Sequence, residues 1–438
     1  MSVPVREWTH WAAGFGVSRV SIKLLALRGD PFARLVTIDS NPVDDLYPLI
    51  EQVRGRGRMV PLAKGAWVSA DAPIVREVLR NKHFRTLKPQ DHSPFRLLQW
   101  VLAKTDPDLL NPLEPPSMLV TDPPEHTRLR RLVSRAFTPR ALERLQDRVR
   151  SLADELLIGL EANTECDLIA EYASQIPLAV IAEMMAIPRD DTRYLQRLSQ
   201  SIQKLVGTAA PCWPDYWEAT KALRAFDCYI DAHIEQLRHS HNAESILSDV
   251  VHHGDLTDWE IKMLAGLLLG AGFITTTHVF GKAVVALIQH PEQVAKLRAE
   301  PEGWPNAIEE ILRYDTTGQV GVRIATENTT IEGYPVRPGE RVFVLVGGAN
   351  RDPAVFDHPE VFDTTRTNAR EHLSFGSGVH ACLGAALART ELQIGLQALF
   401  EHFPQIGLAG EPIFNRTIGL HGLKYLPVSL SGAVSQEA

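Results

Sequence analysis

Apolar residues recur at helical spacing along most of the chain and at strand spacing only in short stretches. The pattern predicts a mainly α fold with small β sheets. Residues 1–40 mix Trp8, Trp11, Phe15, Val20, Ile22, Leu24 and Leu25 with Arg6, Arg19, Lys23 and Arg28. A terminal arm packed on the main domain is the favoured reading, and a surface-seeking amphipathic segment is the other. From Asn41 a capping residue, a first-position proline and helical spacing predict a helix to Arg54. Val60–Leu62 and Ala66–Val68 read as strands around Lys64-Gly65, and Asp71 caps a helix through Leu79. Further helices are expected around 142–160, 176–185, 216–237 and 306–314. Thr257 and Glu260 form a capping box that opens one long helix, ended by His290-Pro291. Short strands follow at Thr329–Ile331, Tyr334–Val336 and Arg341–Val346. A helix from Leu383 to Phe400 and a hairpin over Phe414–Leu423 close the pattern.

Composition narrows this picture only a little. The 438 residues are 45% hydrophobic and 22% charged, an ordinary globular balance with ample length for a large core. A net charge of −8 argues against a nucleic-acid partner. Cys166, Cys212, Cys228 and Cys382 are the only cysteines, and none forms a C-x-x-C pair. Their scarcity suits a reducing compartment, and a cytoplasmic protein is expected. No signal peptide is visible, and the longest apolar run, near Leu264–Ile274, is too short to span a bilayer.

The densest chemical signal is residues 372–389, a glycine-rich loop that presents one thiol and then starts a helix. Gly376 and Gly378 permit backbone angles that a Cβ would block. Cys382 sits at or just before the helix N-terminus, where free N–H groups favour a thiolate. In residues 121–140, Asp122-Pro123-Pro124 marks a turn and a helix start, and His126 and Arg130 share a helical face. Two donors on one face suit a carboxylate. Within the long helix, Ala271 and Gly272 are small, and Thr275 can bond back to a carbonyl one turn earlier. Glu310 and Arg313 are spaced to pair.

Phe375, Gly376, Gly378, His380, Cys382 and Gly384 match the haem-binding loop of the cytochrome P450 family, and over roughly residues 40–430 the chain resembles the soluble bacterial type. The resemblance implies a triangular helical domain with a small β-rich N-terminal lobe: an arm at 1–40 and a single catalytic domain at 41–438. It implies haem b (iron protoporphyrin IX) with Cys382 as axial thiolate, which favours O–O cleavage. His126, Arg130, Arg323 and His380 match propionate ligands. Phe375, Gly376 and Gly384 belong to the cofactor loop, and Ala271, Gly272 and Thr275 to an oxygen-activating groove. Arg366 is the candidate partner of the Glu310–Arg313 pair. Leu97, Leu98, Trp100, Val101 and Phe95 either line the substrate pocket or form a short packed helix. Gly318, Gln319 and Val320 are expected to approach the pocket, as are Leu420 and His421 of the last hairpin.

The implied activity is a monooxygenase (an iron-containing, metal-binding oxidoreductase) that inserts one oxygen atom of O2 into a lipophilic substrate. Electrons would come from NAD(P)H through ferredoxin and ferredoxin reductase. Arg128, Arg131, Arg135, Arg140, Arg144 and Arg148 would offer an acidic carrier a positive face. A monomer without a transmembrane anchor is expected. One departure stands out: Ile274 replaces the acid that most relatives use in proton delivery. Replacing Ile274 with Glu is therefore expected to improve coupling of electrons to product. The same departure leaves a peroxide-driven haem-thiolate enzyme as the alternative, followed by a haem sensor without turnover.

Overall fold

The computed structural model describes the chain except residues 1–3, 38–42, 63–64, 89–90, 92–95, 135–136, 138, 207–209, 241–244, 254, 416 and 431–438. Phe95, Lys64, Arg135 and the Asn41-Pro42 helix start lie outside the described residues.

Helices dominate, and the largest core is built where their apolar faces meet. The helices Pro139–Leu160, Gln175–Met184, Trp213–His239, Ile274–Gln289, Trp304–Tyr314 and Ala385–His402 all contribute to it. Tyr172, Phe226, Phe280, Leu392 and Leu396 are at most 1% exposed within it. Two smaller clusters lie under a five-stranded sheet. Its strands run in the order Val60–Leu62, Ala66–Ser69, Arg341–Leu345, Val320–Ala325, Phe84–Arg85. Ala66–Ser69 pairs in parallel with Arg341–Val344, and the other neighbours are antiparallel. The expected strands and the helix Ala72–Arg80 are present, with Asp71 Oδ1 accepting from the Ile74 N–H at 3.0 Å.

The long helix differs from its expectation. It forms as Asp258–Gly272 and Ile274–Gln289, interrupted at Phe273. The Thr257–Glu260 capping box is in place at its start. At the interruption, the hydroxyls of Thr275, Thr276 and Thr277 donate to the carbonyls of Ala271, Gly272 and Phe273, at 2.8, 3.3 and 2.8 Å. Such back-bonding competes with the helix ladder and bends it. By length and composition alone Asp258–Gln289 is apolar enough to cross a membrane. However, 78% of its most apolar window is buried inside the protein, as in a core helix.

Candidate functional site

The cysteine loop is held by its own backbone and by its neighbours. Cys382 N–H donates to the Phe375 carbonyl at 2.8 Å, and Gly376 N–H to Leu373 at 2.8 Å. Gly376 and Gly378 have φ of +68° and +74°. At Gly378 a Cβ would lie 2.7 Å from the Leu79 carbonyl oxygen and 3.0 Å from Arg80 Cα, both backbone atoms. Gly378→Ala should therefore cost about 1–3 kcal/mol from the left-handed angle and the contact. Thermal unfolding would register this, and an unchanged midpoint would contradict the argument. Gly384 caps the helix Ala385–His402, so Cys382 precedes that helix by one turn.

A support not read from the sequence ties the loop to the preceding helix. Glu309 accepts from Arg389 at 2.7 and 3.0 Å and contacts His372 Nε2 at 3.0 Å. The Arg389 guanidinium lies 4.6 Å from the Phe375 ring centroid. The Glu310–Arg313 pair is fully buried with bonds of 2.7 and 2.8 Å, and Arg366 reaches Glu310 at 3.2 Å, as expected.

A cavity of about 390 Å³ opens over Cys382. Its walls include Phe375, Gly376, His380, Cys382 and Gly384 from the loop, and Ala271, Gly272, Thr275 and Thr276 from the interrupted helix. His126 and Arg130 complete the rim. Gly272 has a packing role as well, since a Cβ there would lie 2.3 Å from Ile181 Cδ1. The cysteine is accessible from the cavity. Burial raises its thiol above the ordinary value, opposed by the Gly384 backbone and by the charges of Arg130 and Arg389.

The rim is basic and short of acids. The rings of His126 and His380 lie 4.4 Å apart. Burial, with the neighbouring His380 and Arg130, lowers His126 to about 4. His380 Nε2 is buried without a hydrogen-bond partner, and its nearest acid, Asp122, is 3.8 Å away. Arg130 donates to the Val379 carbonyl at 3.2 Å. Arg323 stands on the strand Val320–Ala325 behind the lining, bonded at 2.9 Å to the Val322 carbonyl, and burial lowers its pKa. Among the described residues neither arginine has a carboxylate in ion-pair range. An unpartnered His380 Nε2 and two arginines bonded to backbone carbonyls but to no carboxylate fit a bound anionic group. An apolar slot with a thiol on its wall and such a rim fits a haem with its propionates.

Several expected pocket residues lie elsewhere. Gln319 turns back to donate to the Thr316 carbonyl at 2.6 Å, and Val320 lies in the sheet, leaving Thr316, Thr317 and Gly318 at the cavity. Leu420 lines it, but His421 is 1% exposed and stacks on Phe414 behind it. Leu97, Leu98, Trp100 and Val101 form the helix Arg96–Thr105 and do not line the cavity. Ile274 is 4% exposed in the main core, so a glutamate there would be buried among apolar side chains. That burial cost works against the expected gain in coupling. Of the arginines, Arg128 is paired with Glu125 and Glu260 and Arg148 with Glu183, while Arg131 and Arg144 are exposed.

Glu391 is the cavity residue the sequence reading missed. It is 1% exposed, lines the cavity beside Thr276, and its Oε1 has no partner. Burial pushes its carboxyl up to about 8, with the Thr276 hydroxyl only partly opposing. The available signal was spacing, because Glu391 follows Leu387 by four residues on the apolar face.

Comparison with known proteins agrees with this site. The protein-family model for cytochrome P450 matches residues 109–303 and 304–417. A putative cytochrome P450 140 of Mycobacterium tuberculosis is 36% identical, covering 98% of this chain and 99% of that protein. A crystal structure of P450BioI with hexadec-9Z-enoic acid ligated acyl carrier protein superposes with a TM-score of 0.80 at 29% identity, covering 90% of this chain and 100% of that one. Ligand-free Mycobacterium smegmatis CYP164A2 gives 0.80 at 32% identity, covering 90% and 98%. A thiol-bearing slot in this helical frame thus has one reading: the chain belongs to the cytochrome P450 family. It is a haem b-binding monooxygenase of the bacterial type.

Proposed function

We propose that the Cys382 thiolate would ligate the haem iron and that His126, Arg130, Arg323 and His380 would hold the propionates. Haem, when bound, supplies the oxygen-splitting chemistry. The chain supplies position and protons. Ala271 and Gly272 leave room above the cysteine loop, and Thr275 brings a hydroxyl to the cavity, anchored to the Ala271 carbonyl at 2.8 Å. That hydroxyl orients water, and apolar walls at Leu267, Leu268 and Val279 exclude the rest. The single observation that carries this reading is Cys382 in one cavity with the Ala271–Thr275 turn.

The substrate is a lipophilic molecule with a polar handle, because the lining is mainly apolar and includes Thr316 and Thr317. An acyl chain on a carrier protein belongs to this class, in keeping with the acyl carrier complex of P450BioI. Electrons arrive from NAD(P)H through ferredoxin reductase and a ferredoxin docking near the exposed Arg131 and Arg144.

Optical titration of the ferric protein with fatty acids, acyl-carrier thioesters, steroids and terpenes tests the substrate class. One class should give a saturable blue shift of the main absorption band. Turnover should then follow from O2 with NADPH, reductase and ferredoxin. Product formed with peroxide but not with the electron carriers would overturn the electron route and favour the peroxide-driven alternative.

A further inference from the structure

Nine of the eighteen large apolar side chains exposed among the described residues fall in the N-terminal arm and the helix Arg96–Thr105. The arm consists of the helices Val5–Trp11, Val17–Leu27 and Pro31–Val36, with one π-helical stretch at Ala12–Gly16. Ordinary surfaces scatter such residues singly. Here they are ordered. Val17, Val20, Leu24 and Leu27 are 52, 61, 52 and 84% exposed, at spacings of three, four and three. At about 100° per residue they form one narrow stripe along the outside of the helix. Lys23 and Arg28 are exposed on its two flanks.

A second patch continues it. Leu97 and Trp100, one turn apart, are 71 and 60% exposed. Their helix packs on the arm: Thr105 Oγ1 lies 3.4 Å from His10 Nδ1, and Arg6 donates to the Asp106 carbonyl. Val5 and Trp8 are exposed on the helix Val5–Trp11, which packs on Arg96–Thr105. From Trp8 to Gly29 the arm has Arg19, Lys23 and Arg28 and no acid, in a chain whose net charge is −8. The preceding acid, Glu7, is 9% exposed and paired with Arg224.

We propose that this face is a docking surface for an anionic lipid bilayer. The partner follows from shape and charge. An exposed single-helix stripe with Trp8 and Trp100 on neighbouring helices and cations along its flanks suits the headgroup boundary of a membrane. Positive flanks on a negative protein select an anionic surface and orient the molecule on it. The arm also holds the segment before Trp213–His239, with Trp11 Nε1 donating to the Pro211 carbonyl at 2.9 Å and Arg19 to the Ala210 carbonyl at 2.7 Å. Docking would set this segment beside the bilayer. The proposal does not depend on the substrate reading above.

The test uses the full-length, haem-loaded protein with phosphatidylglycerol-containing vesicles and with pure phosphatidylcholine vesicles. Co-sedimentation should be strong with the first, weak with the second, and reduced by salt. Leu24→Asp with Leu27→Asp should weaken it at least about tenfold, as should Lys23→Glu with Arg28→Glu. These side chains are exposed, so an unchanged haem spectrum serves as the folding control. Wild-type protein that stays in the supernatant overturns the proposal, and so does vesicle binding that survives both double substitutions. Concentration-dependent dimerisation without vesicle binding, abolished by the aspartates, also overturns it and assigns the stripe to a second copy of the chain.

Discussion

Glu310→Ala should destabilise the fold by about 3–5 kcal/mol, the usual cost of stranding a buried charge. Glu310 and Arg313 are both 0% exposed, and Arg366 adds a second guanidinium at 3.2 Å. Arg313 also donates to the carbonyls of Asn350, Pro359 and Val361 at 3.0, 2.9 and 3.1 Å. The pair therefore fixes the segment 350–366 that leads into the cysteine loop. Removing the carboxylate leaves Arg313, fully buried, and the mostly buried Arg366 facing carbonyls alone. Typical domains have only about 5–15 kcal/mol in hand, so haem retention should fall along with the unfolding midpoint. Chemical denaturation of the haem-loaded variant is the check. A loss below about 1 kcal/mol would mean that the carbonyl cage alone holds Arg313.

Glu391→Gln should flatten the pH dependence of stability between about pH 5 and 8. The sign follows from the raised carboxyl, which burial pushes from an ordinary 4.5 to about 8. In that window the folded protein holds a proton that the unfolded chain has released. Stability from this group is complete below the unfolded value and is lost as pH rises through the folded one. Over the full window the loss approaches roughly 4 kcal/mol. Glutamine keeps the shape and cannot ionise, so the variant should match the wild type near pH 5 and exceed it near pH 8. Unfolding free energies of both proteins across that range decide the matter. Parallel curves would show that Glu391 ionises in the fold as it does in water.

These two residues also mark what the sequence could and could not reveal. The Glu310–Arg313 pair and its Arg366 partner were legible because their spacing and order identify them before any geometry is known. The cysteine loop was legible for the same reason. Glu391 was not, because an acid in a helix normally faces water and only the Leu387 spacing hinted otherwise. Gln319 and His421 look like pocket residues in the sequence because they flank Gly318 and Leu420, which do line it. Backbone direction sends their side chains away, to the Thr316 carbonyl and to Phe414. The arm stayed ambiguous for a different reason. Helical spacing locates an apolar stripe without saying whether protein covers it, and here the outer stripe is bare.

The central claim is that Cys382 binds the haem iron through sulfur. The other cysteines are poorly placed for this. Cys166 is buried in the strand Glu165–Asp167 with its thiol pushed up to about 12, Cys212 bonds Asp215 at 2.9 Å, and Cys228 is exposed. Of the four, only Cys382 lines the cavity. Iron-edge X-ray absorption of the ferric, haem-loaded protein reads the ligand directly. One sulfur scatterer in the wild type, lost in Cys382→Ser while haem is retained, is the predicted result. A nitrogen- or oxygen-ligated iron in the wild type, or a sulfur ligand that persists in Cys382→Ser, would contradict it.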